Sequence, residues 1–261
     1  MNDARPLAVV TGATAGIGKV FCERLAARGH DLLLVARDGN RLQALKQELE
    51  QRYGVVVEVF PADLTIDTDV SLLAETLARS PNLAILVNNA GFGTRDTLAD
   101  ASPARQEAML QLHVMAPMRL TQAALPVLLK NQRGAIVNVS SVASFLFSAN
   151  NVNYCATKAY LRTFSEGLAV ELAGTGVRVQ ALCPGFTRSE FHRRMGVDVA
   201  DIPGWMWLSA TNVVNTSLAA LERGWPVVCV PGFRYKLIVL LLRFTPRWLI
   251  GRVTGRRMRS M

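Results

Sequence analysis

The sequence is poor in cysteine, and its cysteines show no pattern that would let them act together. Four cysteines are spread over 261 residues, and none belongs to a C-x-x-C pair or to a Cys/His cluster. A disulfide framework and a zinc site are therefore not expected, and we predict no metal. Thiols without a pairing pattern are typical of a reducing compartment, so we expect a cytoplasmic protein.

Long apolar runs are also missing. No uncharged apolar stretch reaches the roughly 18 residues that a membrane-spanning helix needs. The N-terminus, MNDARPLAVVTGA, lacks the charged-then-apolar pattern of a secretory signal. Half of the residues are nevertheless apolar and 19% are charged, which is typical of an ordered globular protein.

Acidic residues are missing from the end of the chain. Residues 233–261 carry eight lysines and arginines and no aspartate or glutamate, while the net charge of the whole chain is +9. The body before this tail is therefore nearly neutral. A nucleic-acid-binding protein presents a basic surface on its folded body, so we expect no nucleic-acid partner.

Short apolar runs alternate with segments of helical periodicity along the body. The runs predict six strands, at residues 7–12, 31–37, 55–63, 83–91, 134–141 and 177–185. Alternation of this kind indicates βαβ units and a single doubly wound parallel sheet of the Rossmann type, with helices on both faces. We expect one domain at residues 1–232 and a basic, apolar helical extension at residues 233–261.

A glycine-rich turn, TGATAGIG at residues 11–18, joins the first strand to the first helix. Gly12, Gly16 and Gly18 let the backbone approach a diphosphate, and the helix directs free N–H groups at it. Thr14, Ala15 and Ile17 complete this predicted cofactor-binding turn. The alternative is a turn that is tight only for packing.

Four further motifs follow in order: NNAG at 88–91, Ser141, YCATK at 154–158 and Pro-Gly at 184–185. With the turn spacing T-G-x-x-x-G-x-G, they resemble the short-chain dehydrogenase/reductase family over most of the chain. The resemblance implies an oxidoreductase that transfers a hydride between a nicotinamide cofactor and a carbonyl or secondary alcohol. It further implies cofactor contacts, which fall on Asp63, Leu64, Asn89, Ala90, Gly91, Pro184, Gly185, Thr187 and Ser189.

The end of the second strand bears on the choice of cofactor. NAD enzymes usually carry an acid there, whereas this chain has Ala36 followed by Arg37. A guanidinium pairs with a 2′-phosphate in two-pronged fashion. We therefore predict NADP(H) rather than NAD(H), with Arg41 as a second contact. The alternative is that both arginines are solvated surface residues neutralised by Asp38.

The Y-x-x-x-K spacing puts Tyr154 and Lys158 on one face of a helix. Reduction of a carbonyl needs a proton donor, and a nearby ammonium is expected to lower the pKa of Tyr154 so that it acts as general acid and base. The resemblance adds Ser141, which would bind the substrate oxygen, and contact of Lys158 and Tyr154 with the cofactor. An ordinary exposed helix pair is the alternative.

His113 stands where many members of the family have asparagine. Pro117, four residues later, has no N–H, so it cannot pair with the His113 carbonyl, and a kink is expected. Three interpretations remain open: a histidine that braces the helix, a titrating member of a proton relay, and a weakened site.

Residues 186–212 correspond to the mobile substrate lid of the family. This segment is rich in apolar side chains, as is the stretch after Ser141, and both favour a lipophilic substrate such as an acyl chain, a steroid or a terpenoid. The apolar side chains are Phe145, Leu146, Phe147, Phe186, Phe191, Trp205, Met206 and Trp207. They would equally serve to pack the lid onto the body. The rival function is a cofactor-binding regulatory or membrane-associated protein with weak or no catalysis, and an isomerase or dehydratase on the same site also stays open.

The tail predicts two short helices separated at Thr245 and Pro246. Lys236, Arg243 and Arg247 fall on roughly one face among apolar residues, which is typical of a helix lying on an anionic membrane surface. The alternative is packing on the body or on a second subunit. The family resemblance implies a homodimer or homotetramer, and the protein would be cytoplasmic or peripheral at the membrane.

Overall fold

The structure is a computed structural model that describes residues 5–94, 96–190 and 202–256. Phe191 of the predicted lid lies outside the described residues, as do Arg257 and Arg259 of the tail.

Seven described strands form one parallel sheet. They are β1 (Leu7–Thr11), β2 (Asp31–Ala36), β3 (Val57–Pro61), β4 (Leu83–Asn88), β5 (Gly134–Val139), β6 (Val177–Leu182) and β7 (Val228–Cys229). Their order is β3-β2-β1-β4-β5-β6-β7, so the predicted doubly wound parallel sheet is confirmed. Sequence reasoning missed β7, since it is two residues long and lies between Pro226 and Pro231.

Helices cover both faces of the sheet. They are α1 (Gly16–Ala26), α2 (Gly39–Tyr53), α3 (Asp67–Ala78), α4 (Pro103–Leu110), α5 (Ala116–Lys130), α6 (Val152–Glu171), α7 (Ala210–Arg223), α8 (Phe233–Phe244) and α9 (Arg247–Arg256). Among the described residues, no helix is both long enough and apolar enough to cross a membrane.

Two buried layers hold the sheet, one on each face. Side chains that alternate along each strand point to opposite faces, so Val10 packs with Phe21 and Leu25 of α1. Val9, its neighbour, packs on the other face with Leu73 of α3. The two layers explain the near-continuous apolar runs that predicted these strands.

Local signals set the ends of α2. The Asp38 carboxylate accepts the N–H of Arg41 and caps the first turn. Gly54, with φ of 63°, ends the helix in the left-handed conformation that glycine favours. The capped start of α2 lies directly after β2 and thereby fixes where Arg37 and Arg41 stand.

A π-helical turn, Gln111–Met115, connects α4 to α5. Pro117 has no N–H to donate to the preceding turn, and a wider turn accommodates that loss. The sequence predicts a kink at this point, and the structure has this π turn, with His113 in its middle.

The tail forms two helices, α8 and α9, on either side of Thr245 and Pro246, as predicted. The inner face of α8 packs on the body, where Tyr235 and Val239 are buried beside Cys183 and Val230. The domain boundary at residue 232 stays a prediction, although α8 shares this apolar cluster with the sheet.

Candidate active site

The carboxyl ends of β1 and β4 meet at the point where the strand order reverses. β1 pairs with β2 on one side and with β4 on the other. A crevice at such a point is where open α/β sheets bind their ligands. The glycine turn follows β1 and the NNAG segment follows β4, so two predicted cofactor-binding motifs lie side by side.

The three glycines of the turn stand where there is no room for a side chain. A Cβ built on Gly12 would lie 2.8 Å from Asn89 Nδ2, and one on Gly18 would lie 2.2 Å from the Gly12 carbonyl oxygen. Gly12 and Gly16 also have positive φ, 66° and 54°. No side chain caps the N-terminus of α1, whose cap residue is Ala15. This open, glycine-lined helix start fits the diphosphate of a dinucleotide.

Asn89 and Thr11 hold the turn against β4. Asn89 Nδ2 donates to the carbonyl oxygens of Thr11 (2.9 Å) and Gly12 (3.2 Å). The Thr11 hydroxyl oxygen accepts the backbone N–H groups of Asn89 and Ala90 at 2.9 and 3.0 Å. Sequence reasoning missed this role of Thr11, although its place as the first residue of the turn motif is a signal.

Ser141, Tyr154 and Lys158 come together between β5 and α6. A side-chain hydrogen bond joins Tyr154 to Ser141. Lys158 Nζ lies 5.8 Å from the centre of the Tyr154 ring and donates to the Val139 carbonyl at 2.9 Å. Ser140, which sequence reasoning did not single out, donates its hydroxyl to the Lys158 carbonyl at 2.7 Å and ties α6 to the strand end.

Burial dominates the titration of this cluster. It raises the pKa of Tyr154 to about 12, against the opposing effect of the Ser141 hydrogen bond. It also lowers the pKa of Lys158 to about 8. The expectation that the pKa of Tyr154 is lowered is therefore wrong for this structure, because removal from water dominates the shift. Tyr154 is therefore a neutral phenol near pH 7.

His113 uses both ring nitrogens to join three segments. Nε2 accepts the backbone N–H of Phe92 at 3.1 Å, so the proton resides on Nδ1, which lies 3.0 Å from the Thr157 hydroxyl oxygen. Thr157 in turn donates to the Tyr154 carbonyl at 3.0 Å. Burial, followed by the charge of Lys158, lowers the pKa of His113 well below its ordinary value. The ring is thus neutral and its hydrogen-bonding groups are paired.

Glycine is required where the NNAG segment passes His113. A Cβ on Gly91 would lie 2.8 Å from His113 Nε2. Close passage of Gly91 lets the next residue, Phe92, reach the ring nitrogen. The bonds of His113 therefore link the segment after β4 to the helix that carries Tyr154.

A buried polar network supports the strand ends beneath the site. Asn88 Nδ2 donates to Asn138 Oδ1 at 2.8 Å, and Asn138 Nδ2 donates to the Ser165 hydroxyl at 2.9 Å. Asn138 and Ser165 are fully buried. The network links β4, β5 and α6, the elements that carry Asn89, Ser141 and Tyr154. Sequence reasoning missed Asn138 and Ser165, since nothing in a single sequence separates them from surface polar residues.

The two predicted phosphate-binding arginines have different surroundings. Arg37 is 70% exposed, and its Nη1 lies 3.7 Å from Asp63 Oδ2. Arg41 instead bonds both carboxylate oxygens of Glu190, at 3.1 and 3.2 Å, and donates to the Thr14 carbonyl at 3.0 Å. Glu190 was not singled out from the sequence. Leu64, which follows Asp63, is buried.

The Pro184–Gly185 turn is braced by the tail. A Cβ on Gly185 would lie 2.0 Å from the Tyr235 ring. The Tyr235 hydroxyl accepts the Phe186 N–H at 3.0 Å and donates to the Met206 carbonyl at 2.7 Å. Thr187 is buried and donates its hydroxyl to the Gly185 carbonyl at 3.0 Å. Helix α8 therefore shapes this side of the site.

Four of the predicted substrate-side residues fall into two groups. Phe145, Phe186 and Met206 pack against the buried cluster of α8, which is the packing role foreseen as the alternative. Phe147 is partly exposed, and Arg247 of α9 lies over its ring, with the guanidinium carbon 5.1 Å from the centre. The tail thus extends to the segment that follows Ser141.

The thiols and acidic groups make no metal site in the described part of the chain. Cys22, Cys155, Cys183 and Cys229 are buried and unbridged. No group of three or more His, Cys, Asp or Glu side chains among the described residues is arranged to hold a metal ion.

Comparison with known proteins identifies the family. The short chain dehydrogenase profile matches residues 6–199. The very-long-chain 3-oxoacyl-CoA reductase of Coprinopsis cinerea is 33% identical over 236 residues, which cover 88% of this chain and 69% of that protein.

Two solved structures are also similar. A short-chain dehydrogenase from Sphingobium yanoikuyae in complex with NADPH superposes with a TM-score of 0.84 and 36% identity, covering 89% of this chain and 91% of the other. A bulky-bulky ketone specific alcohol dehydrogenase from Comamonas testosteroni gives a TM-score of 0.80 and 30% identity, covering 91% and 92%.

The fold and its relatives define a Rossmann-type, nucleotide-binding oxidoreductase. Within that class, the chain belongs to the short chain dehydrogenase family.

Proposed function

We propose that the protein transfers a hydride between NADP(H) and a carbonyl or secondary alcohol of a hydrophobic substrate. The proposal rests on one observation. Ser141, Tyr154 and Lys158 lie together, and the glycine turn of the same site fits a dinucleotide. When bound, the reduced nicotinamide supplies the hydride that this chemistry needs.

In the reductive direction, Tyr154 donates its phenolic proton to the carbonyl oxygen as the carbon accepts the hydride. Burial keeps the phenol neutral, and the alkoxide that forms is the stronger base, so the proton moves downhill. Ser141 donates a hydrogen bond to the same oxygen and orients it. Lys158, held on the Val139 carbonyl, stabilises the phenolate until a proton from solvent restores Tyr154.

Arg37 supports the choice of NADP(H). The side chain is exposed at the end of β2, and its weak pairing with Asp63 leaves it available to a phosphate. Ala36 stands where a carboxylate would favour an unphosphorylated ribose. The NADPH in the complex from Sphingobium yanoikuyae is consistent with this choice.

A hydrophobic substrate agrees with the apolar surroundings of Ser141. Leu146 and Phe147 follow the serine at partly exposed positions outside the apolar cluster of α8. Two of the relatives are named for large carbonyl substrates, one for very-long-chain 3-oxoacyl-CoA and one for bulky-bulky ketones. We infer the same chemical class here.

The test is NADPH oxidation with a panel of aromatic, steroidal and 3-oxoacyl ketones. Tyr154→Phe should lower kcat at least about 1,000-fold, because both the donor and its hydrogen bond to Ser141 are lost. Tyr160→Phe, a tyrosine stacked on Phe164 of the same helix, is the matched control and should keep activity. NADPH binding without turnover in the wild type would instead favour the regulatory function.

The outer face of the tail supports a second proposal, that α8 and α9 rest on an anionic membrane surface. This outer face consists of exposed apolar residues, namely Phe233, Leu237, Leu240, Leu241, Phe244 and Trp248. Arg234, Lys236, Arg243 and Arg247 are exposed on the same two helices, and no acid follows Glu222. A second copy would bring the same positive charges against this face, whereas anionic lipid complements them.

Vesicle sedimentation tests this surface. The wild type should sediment with phosphatidylserine-containing vesicles and not with pure phosphatidylcholine. Phe244→Glu should abolish sedimentation, and Val170→Glu, at a similarly exposed apolar position on α6, should not. If Phe244→Glu changes only the molar mass in solution, the face is a subunit interface, and the predicted homo-oligomer forms there.

A further inference from the structure

Arg41 and Glu190 form an ion pair between segments 149 residues apart in sequence. Arg41 lies in the first turn of α2, and Glu190 follows the Pro184–Gly185 turn. The pair is two-pronged, with Nη1 and Nη2 each donating to one carboxylate oxygen at 3.2 and 3.1 Å. Such paired bonds are the strongest that a guanidinium makes with an oxyanion.

The bond to Thr14 leaves Arg41 with little capacity for another anion. Nη2 also donates to the Thr14 carbonyl at 3.0 Å. Both N–H groups of Nη2 are therefore in use, and Nη1 already donates to Glu190. A phosphate needs the same fork that the Glu190 carboxylate occupies. Arg41 therefore cannot grip a phosphate in two-pronged fashion while Glu190 is paired.

The Glu190 segment also lies on the phosphate-binding turn. A Cβ on Gly16 would meet Ser189 Cβ at 2.8 Å. Arg41 touches the same turn through Thr14. The ion pair thus joins three pieces that surround the predicted position of the cofactor: the glycine turn, the start of α2 and the segment after Gly185. Arg37, in contrast, is exposed and only loosely paired.

We propose that Glu190 competes with the 2′-phosphate of NADP(H) for Arg41 and thereby sets the discrimination between NADP(H) and NAD(H). Without cofactor, the carboxylate holds Arg41. A ligand with a 2′-phosphate must displace it, and an unphosphorylated ribose need not. Glu190 is then a specificity-determining residue that lowers the affinity for the phosphorylated cofactor. This inference rests on the proposed use of NADP(H).

Calorimetric binding of two probes to the full-length protein tests the competition without turnover. Adenosine 2′,5′-bisphosphate carries the 2′-phosphate, and adenosine 5′-monophosphate lacks it. Glu190→Gln removes the competing charge but keeps the size of the side chain. Arg41→Gln and the double variant show whether the effect passes through Arg41. Glu48→Gln is the matched control. Glu48 pairs with Lys19 at 3.0 Å, its side chain is exposed to a similar extent as that of Glu190, and it lies on α2, the helix that carries Arg41.

Glu190→Gln should tighten binding of the bisphosphate about five-fold and leave the monophosphate within two-fold. Glu48→Gln should change the affinity for neither probe. In the Arg41→Gln background, Glu190→Gln should have no selective effect. The gain in affinity for the bisphosphate should shrink in high salt, since the side chains of Arg41 and Glu190 are both partly exposed.

Three results overturn the inference, and they differ in what else they overturn. If the wild type prefers the bisphosphate but Glu190→Gln binds it no better, the competition is wrong and the proposed cofactor stands. If the wild type binds both probes equally and Glu190→Gln binds the bisphosphate no better, the NADP(H) preference is wrong too. A loss of affinity for both probes on Glu190→Gln would make Glu190 a brace of the site rather than a competitor.

Discussion

The interior of the site and its phosphate-binding rim are built on different physics. In the interior, Tyr154, Lys158 and His113 are buried. The hydrogen bonds of His113 join neutral groups, and Lys158 donates to a neutral backbone carbonyl. At the rim, Arg37 and Arg41 are partly exposed and paired with carboxylates.

The difference shows which variable controls each region. In the interior, removal from water shifts the pKa values of Lys158 and Tyr154 in opposite directions. At the rim, water screens the charges, and anions exchange for one another at small cost. The interior should therefore respond to pH and packing, and the rim to salt and competing anions.

The largest expected effect is at the border of the two regions. Gly18→Ala places a Cβ against the Gly12 carbonyl and Asn89 Nδ2, so the free energy of unfolding should fall by about 3 kcal/mol and cofactor binding should be lost. Gly167→Ala, on α6 with nothing within 4 Å, should raise stability by about 0.5 kcal/mol. Urea denaturation measures both. If Gly18→Ala and Gly167→Ala changed the free energy of unfolding equally, the glycine turn would not be tightly packed.

The interior is next tested by the pH dependence of stability. Between pH 8 and 10.5 the unfolded chain keeps the proton on Lys158 while the folded protein has released it. Wild-type stability should therefore rise with pH in this window by roughly 2 kcal/mol relative to Lys158→Met. Urea denaturation of both proteins at pH 7.5 and 10.5 gives the difference. A pH-independent difference would show that the ammonium is not buried.

His113 gives a smaller effect on stability. His113→Leu leaves the Phe92 N–H and the Thr157 hydroxyl without the ring, which should cost about 1.5 kcal/mol. His113→Asn should keep activity within a few-fold. Because burial lowers the pKa of His113 well below its ordinary value, neither change should remove a group that titrates near pH 7 from the kcat/KM profile. Loss of such a group would make His113 a proton carrier.

The smallest effect is expected at the rim. Arg37→Ala should weaken NADPH binding about five-fold, or about 1 kcal/mol, and leave NADH binding unchanged. The loss should diminish between 50 and about 500 mM salt. Fluorescence titration with both cofactors measures it. A salt-independent loss shared by NADH would mean that Arg37 supports the fold instead.

The sequence predicts the interior better than the rim. The alternation of strands and helices, the glycine turn and the three residues Ser141, Tyr154 and Lys158 follow from local patterns whose spacing is visible in the chain. The Arg41–Glu190 pair joins residues that become neighbours only in the folded chain, so no local pattern reveals it. The role of Tyr235 at Gly185 likewise depends on the packing of α8.

The titration of Tyr154 shows a second limit of the sequence. The Y-x-x-x-K spacing correctly predicts that Tyr154 and Lys158 are neighbours on α6. It does not reveal how deeply both are buried, and burial decides the direction of the pKa shift. His113 is similar, since its partners Phe92 and Thr157 lie on other segments and only the fold brings them to its two nitrogens.

Hydride transfer itself tests the central claim most directly. The wild type is incubated with a bulky ketone and NADPH deuterated at the transferring position of nicotinamide C4, and the alcohol is examined by mass spectrometry and NMR. Both positions of C4 are labelled in separate samples, so that either stereochemistry is detected. We expect one deuterium on the carbinol carbon, formed by the wild type and not by Tyr154→Phe. Alcohol without deuterium from either sample, or equal labelling by both proteins, would contradict it.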